Sequence, residues 1–283
     1  METINHPYVF QTDSTIIKEG LNQSNYLIEY TDHKLSKEKY CIIYFSSHNI
    51  YYPNTEDEFK NSIVDKNKFE WYGSRIKKGS KHIFIRDIQK QWYLNGISNN
   101  INSVEKLTEF LKEETKGYKT IMMGSSGGGY ASVLFGSLLN SEYIISFNGQ
   151  FQLYDLLETS KESIDPIVFR ERNNTKINKY YTVKDSIQSP EKVFYFYSNK
   201  SSWDTYNKNY ISDLPINILS FDTGNHGIPF VKSAIERVIN SNYDELLKLS
   251  NKTYNPIIFS LRLGGFTSTS KILIKKLIEK WRK

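Results

Sequence analysis

A short apolar strand, Thr120-Ile-Met-Met123, runs straight into Gly124-Ser-Ser-Gly-Gly-Gly129 and then into a segment with helical periodicity. A strand that feeds a helix through such a row must turn sharply. Gly124, Ser125, Ser126, Gly127 and Gly128 fit G-x-S-x-G, in which the central serine takes a strained backbone conformation and small neighbours keep strand and helix from clashing. The helix N-terminus then aims free N–H groups and a positive dipole at the site where an oxyanion would form. The competing reading is a glycine-rich turn that binds phosphate. No lysine follows these glycines, as a Walker loop requires, and the spacing is not that of a dinucleotide fingerprint.

Other short apolar runs read as buried strands: Tyr26–Tyr30, Tyr40–Phe45, His82–Arg86, Tyr143–Phe147, Val193–Tyr197 and Ile216–Phe221. Between them, helical spacing appears over Val104–Thr115, with Ser103 as N-cap, over Gly128–Leu139 and over Ile228–Ile239. Strands alternating with helices imply crossover connections, hence an α/β fold with a mostly parallel central sheet flanked by helices. With 283 residues, residues 1–283 are expected to form a single domain. A polar stretch at about 158–189 reads as an insertion or lid. The last segment, about 268–283, reads as an amphipathic basic helix with Ile274, Leu277, Ile278 and Trp281 on one face. It either packs on the body or touches a membrane surface or partner.

Composition narrows the chemistry. The lone cysteine, Cys41, excludes a disulfide framework and a cysteine-based zinc site. The histidines (His6, His33, His48, His82 and His226) show no metal-ligand spacing, so no metal is expected. The net charge of +6 is modest and spread, with clusters only at Arg75–Lys78 and Lys271–Lys283, and no nucleic-acid motif accompanies it. The chain opens without a basic n-region and apolar stretch, and no run approaches the roughly 18 apolar residues of a spanning helix. The expectation is a cytoplasmic protein, at most peripheral at the inner face of the membrane.

A nucleophilic serine needs a base, and in this architecture acid and histidine follow it in that order. Only His226 lies beyond Ser126, on a Gly-flanked loop after Ile216–Phe221. The acid is expected after Val193–Tyr197, which favours Asp204; Asp222 and Asp213 are rivals, and Asp204 could instead cap its helix. The oxyanion hole would combine the Gly127 N–H with one from the loop after Tyr40–Phe45, where Ser47 is the candidate and Ser46 the next. The side chain of His48 would face either the pocket or solvent. Asp87 and Trp92 follow another strand and are candidates for substrate contact, against a structural Arg86–Asp87 pair covered by an aromatic.

These residues resemble the α/β-hydrolase superfamily over roughly Tyr26–Asn240. Within that span, Ile85–Gly96 (IRD…QWYLNG), Gly124–Gly136 (GSSGGGYASVLFG) and Ile145–Gln150 (ISFNGQ) resemble a bacterial branch tied to cell-surface glycans. That branch includes capsular polysaccharide O-acetyltransferases of the meningococcal serogroup A type and the acetyltransferase component of accessory Sec systems. The resemblance implies an acyl-serine formed from acetyl-CoA, with no bound cofactor, and passed to a hydroxyl of a polysaccharide or oligosaccharide acceptor. The matching positions are Ser126, Asp204 and His226. A carbohydrate esterase or deacetylase would use the same residues, and a non-catalytic glycan-binding or assembly factor could keep the fold. One departure is Gly127, where a larger residue is common; its expected effect is a wider pocket with the N–H intact.

Overall fold

The short apolar runs pair into one eight-stranded sheet in a computed structural model that describes residues 5–31 and 38–281. The strands are β1 (Tyr26–Tyr30), β2 (Tyr40–Phe45), β3 (Gly79–Ile85), β4 (Lys119–Ser125), β5 (Tyr143–Phe147), β6 (Val193–Ser198), β7 (Asn217–Phe221) and β8 (Lys252–Tyr254). They lie in the order β1-β3-β2-β4-β5-β6-β7-β8. Only β1 runs antiparallel to its neighbour; every other pair is parallel.

Both faces of the central strands are covered, which is why they read as continuous apolar runs. Successive side chains alternate between two core layers. Cys41, Ile43 and Phe45 join Leu107, Leu111, Tyr130 and Phe135 on one side of the sheet. Ile42 and Tyr44 join Phe194, Phe221, Phe230 and Phe259 on the other. The first side is closed by helices α1 (Val104–Glu114), capped by the Ser103 side chain, and α2 (Gly127–Leu138). The register sets Phe45 opposite both Ile85 and Gly124, and Ser125 opposite Phe147. The carboxyl ends of β2, β3, β4 and β5 are therefore level, and the loops that follow them open onto one edge.

Two segments differ from the sequence expectation, and a third buries more than its polarity suggests. Residues 228–231 are not helical: Pro229 pushes Ile228 out of the helical region, Phe230 enters the core, and the Val231 N–H donates to Ser260 Oγ at 2.9 Å. The helix proper is Ile235–Ile239, preceded by a 3₁₀ turn at Lys232–Ala234. The three-residue edge strand β8 carries too little apolar signal to be seen in sequence. The polar stretch at 158–189 forms short helices at Pro166–Arg170 and Thr175–Asn178, yet it places Val168, Tyr181 and Val183 in the core. Arg170 of this stretch pairs with Asp13 at 2.8 Å and Glu162 at 3.0 Å, pinning it to the short helix Phe10–Asp13; the guanidinium draws the Asp13 carboxyl down to about 2.

Among the described residues three further helices have nine or more residues: α3 (Ser202–Tyr210), α4 (Pro256–Gly264) and α5 (Phe266–Trp281). In α5, Thr269 is buried and donates to Ser260 O at 3.1 Å, whereas Ile274 and Ile278 are 56 % and 48 % exposed. The side chains of Leu277 and Trp281 lie outside the described residues. Among the described residues no helix is long and apolar enough to cross a membrane.

Candidate active site

Ser126 sits between β4 and α2 with φ 52° and ψ −124°, a conformation that costs a side-chain-bearing residue of order 1–3 kcal/mol. It is held from both sides: its N–H donates to Phe147 O and its carbonyl accepts from the Tyr130 N–H, both at 2.9 Å. The neighbouring glycines are required by space. A Cβ on Gly124 would lie 2.2 Å from the Gly128 carbonyl oxygen, and one on Gly128 would lie 2.3 Å from that of Phe45. The turn has the geometry of a nucleophile elbow, rising between a parallel strand and its helix at the level edge of the sheet. The fold is that of the α/β-hydrolases.

Loops at the carboxyl edge of the sheet bring polar side chains toward this turn. His226 follows β7; its Nε2 lies 2.8 Å from Ser126 Oγ and its Nδ1 lies 2.8 Å from Asp204 Oδ1. Asp204 is buried in the first turn of α3, and its other carboxylate oxygen has no partner among the described residues. It is not the helix cap: Ser201 is, its Oγ accepting the Asp204 N–H at 3.3 Å. The two rivals lie elsewhere, Asp222 accepting from Asn199 at 2.9 Å and Asp213 paired with Lys184 at 2.6 Å. The Trp203 ring stacks on His226, centroids 4.9 Å apart, and its indole N–H is held by Asp155 at 3.2 Å.

The histidine loop is tied down by residues that sequence reasoning passed over. Asn148 donates to Asn225 O at 3.3 Å and to Gly227 O at 3.0 Å, and Ser198 Oγ donates to Asn225 O at 2.6 Å. Asn148 and Ser198 end or follow buried strands, where a polar residue needs a local partner. That was the available signal.

On the oxyanion side the structure corrects several expectations. The Ser47 N–H donates to Glu70 Oε2 at 2.7 Å and its hydroxyl to Glu70 Oε1 at 2.9 Å, so this amide is already engaged. The Ser46 N–H is engaged too, with Ile85 O at 2.9 Å. Glu70 is partly buried, and its desolvation raises its pKa, while the two bonds from Ser47 work the other way. The next amide, that of His48, has no acceptor among the described residues, and neither has that of Gly127. Gly127 does not widen the pocket. The His48 ring occupies the space, so a Cβ on Gly127 would lie 2.5 Å from its Nε2. Burial drives the His48 imidazole down to about 3, leaving it neutral.

Asp87 and Trp92 do not reach the pocket. The Asp87 carboxylate turns inward and accepts the N–H groups of Gln89, Lys90, Gln91 and Tyr93 at 2.6–3.1 Å. Trp92 is buried, its indole N–H donating to Gln150 at 3.0 Å and its ring packed edge-on against His48. A short loop that leaves a strand with several free amides recruits the nearest carboxylate, and Asp87 is taken for that purpose.

Ser126 and His226 lie on a cavity of about 910 Å³. Phe69, Trp71, Tyr72 and Phe230 give it aromatic surface, and Gln11, Asn54, Lys90 and Asp165 give it polar surface. Burial holds Asp165 up at about 6. Cys41 lies in the sheet, its thiol pushed up to about 12 by burial. Among the described residues no group of three or more His, Cys, Asp or Glu is arranged to hold a metal ion.

Comparison with solved structures gives low-identity similarities. The capsule O-acetyltransferase of Neisseria meningitidis serogroup A is 16 % identical, the alignment covering 70 % of this chain and 82 % of that one, with a TM-score of 0.47. The S-formylglutathione hydrolase FrmB of Staphylococcus aureus is 12 % identical over 77 % and 87 %, with a TM-score of 0.47. That of Agrobacterium tumefaciens is 9 % identical over 81 % and 92 %, with a TM-score of 0.45. No protein-family model and no curated protein matches the sequence.

Proposed function

We propose that the protein is a serine-dependent O-acetyltransferase that moves an acetyl group from acetyl-CoA to a hydroxyl of a bacterial capsular or other surface polysaccharide. The observation that carries the acyl-transfer reading is the row Ser126–His226–Asp204, with two 2.8 Å contacts and its serine raised on a strained elbow at the cavity. His226, oriented by Asp204, takes the Ser126 proton as Oγ bonds to the acyl carbon. The resulting oxyanion is held by the Gly127 N–H and, in place of Ser47, by the His48 N–H. When the carbon–sulfur bond breaks, His226 returns its proton to the CoA thiolate. A sugar hydroxyl then gives its proton to His226 as its oxygen bonds to the acyl carbon; the bond from that carbon to Oγ breaks, and His226 passes the proton to Ser126 Oγ.

The donor and acceptor rest on the sequence resemblance. The aromatic surface of Trp71 and Tyr72 suits the apolar faces of a sugar ring. Residues 158–189 act as a lid within a single domain, since Ile164 and Asp165 line the cavity. The flank of α5 that carries the exposed Ile274 and Ile278 serves as a contact for the membrane's inner face or a biosynthetic partner. A second reading, a carbohydrate esterase, is favoured by one observation: His226 is 30 % exposed, so water can reach the acyl-serine.

The test is labelled acetyl-CoA with and without polysaccharide acceptors, beside Ser126→Ala. Label appearing on the polysaccharide supports transfer. Free acetate released at one rate regardless of acceptor establishes the esterase reading, and full activity in Ser126→Ala overturns the site.

A further inference from the structure

The cavity contains a buried cation that the acyl-transfer steps do not use. Lys90 is only 6 % exposed yet lines the cavity. Its ammonium donates to Tyr51 O at 3.3 Å and to Asn54 Oδ1, and lies 4.2 Å from the Tyr51 ring centroid. All of these partners are neutral. The orientation of Asn54 is set on its far side, where its amide N–H donates to Gln11 at 3.2 Å and Gln11 in turn donates to Ile164 O at 3.2 Å. The nearby carboxylate, Asp87, spends its oxygens on four backbone amides.

Lys90 has no carboxylate in direct contact, only the field of Asp87, and burial lowers its ammonium to about 8; an anionic ligand would complete it. The backbone is also strained to present it: Lys90, Trp92 and Tyr93 all have positive φ, 55°, 53° and 60°. Lys90 is close enough to His48 for its charge to oppose protonation of that ring, and His48 packs on Gly127 beside the nucleophile. An ammonium has three donors and two are used.

We propose that Lys90 is a specificity-determining residue that binds an anionic group, a carboxylate or phosphate, carried by the substrate beside the scissile acyl bond. The proposal rests on the acyl-serine reading for its chemistry, and the shared ligand chemistry can belong to the acyl group or to the alcohol.

The experiment compares wild type, Lys90→Met and Lys90→Arg on matched esters. The acyl-side pair is 4-nitrophenyl hemisuccinate against 4-nitrophenyl butyrate. The alcohol-side set is 4-acetoxybenzoate and 4-acetoxyphenyl phosphate against 4-acetoxybenzamide. On one side, Lys90→Met is expected to lower the anionic-to-neutral ratio of kcat/KM about 10-fold or more, as loss of a charge-assisted hydrogen bond does. Neutral turnover should stay within about 3-fold, Lys90→Arg should keep most of the preference, and the side affected identifies the source. The melting temperature of Lys90→Met should equal or exceed that of wild type, because a buried charge is replaced by an apolar chain. An unchanged ratio on every pair overturns the proposal, as does a melting temperature that falls together with neutral turnover. Fluorophosphonate labelling of Ser126 keeps the two readings apart. If Ser126 is not labelled, the acyl-serine reading fails alone, and Lys90 is then judged by whether benzoate and inorganic phosphate raise the melting temperature of wild type but not of Lys90→Met.

Discussion

The turns that follow β4 and β3 both hold residues other than glycine at positive φ, and they do so by opposite means. After β4, Ser126 is strained because everything around it has been made small; Gly124 and Gly128 clear the room that strand and helix need to pass. After β3, Lys90, Trp92 and Tyr93 adopt positive φ in a stretch, Ile88–Leu94, that contains no glycine. There a single buried carboxylate, Asp87, holds four amides in place. One turn removes steric conflict and the other adds hydrogen bonds. The first leaves a mark in composition, and the second does not.

The sharpest way to break this contrast is to remove the carboxylate. Asp87→Ala strands buried amides, and we expect a loss of about 3–5 kcal/mol in urea unfolding. A loss below about 1 kcal/mol would show that the β3 turn does not depend on Asp87. Next comes Gly128→Ala, whose new Cβ meets the Phe45 carbonyl oxygen; a cost of about 1–3 kcal/mol is expected from the same measurement. The nearest atoms to a Cβ at Gly127 belong to the His48 ring, a side chain rather than backbone, so Gly127→Ala should cost less than Gly128→Ala while lowering kcat through displacement of the His48 loop. Smallest is the effect of relieving the elbow: Ser126→Gly should gain about 1 kcal/mol, the strain of a side chain at this φ less the added entropy of glycine. A loss of stability there would contradict the assignment of strain to Ser126.

The same contrast explains what the sequence made legible. The sheet is readable because β2, β4, β5 and β6 are buried on both faces, and their apolar runs have strand length. The elbow is readable because close approach demands glycine. His226 follows by elimination, and Asp204 by its place after β6; in the structure they form one hydrogen-bonded row with Ser126. The engagement of the Ser47 amide was not readable, because its partner Glu70 lies 23 positions away. The inward turn of Asp87 and Trp92 was hidden for a related reason. Whether a strand-end side chain faces the crevice depends on the path of its loop, and that path is set by amides which sequence does not distinguish. His48 packing on Gly127 likewise required two loops to be placed in space before it could be seen.

The central claim is that Ser126 becomes acylated. It is tested most directly by mixing the protein with acetyl-CoA or 4-nitrophenyl acetate, quenching in acid within the first turnover, and mapping added mass by peptide mass spectrometry. One acetyl group is expected on the peptide containing Ser126, absent in Ser126→Ala and strongly reduced in His226→Ala. Turnover without acetylation of that peptide, or equal acetylation in Ser126→Ala, would contradict it.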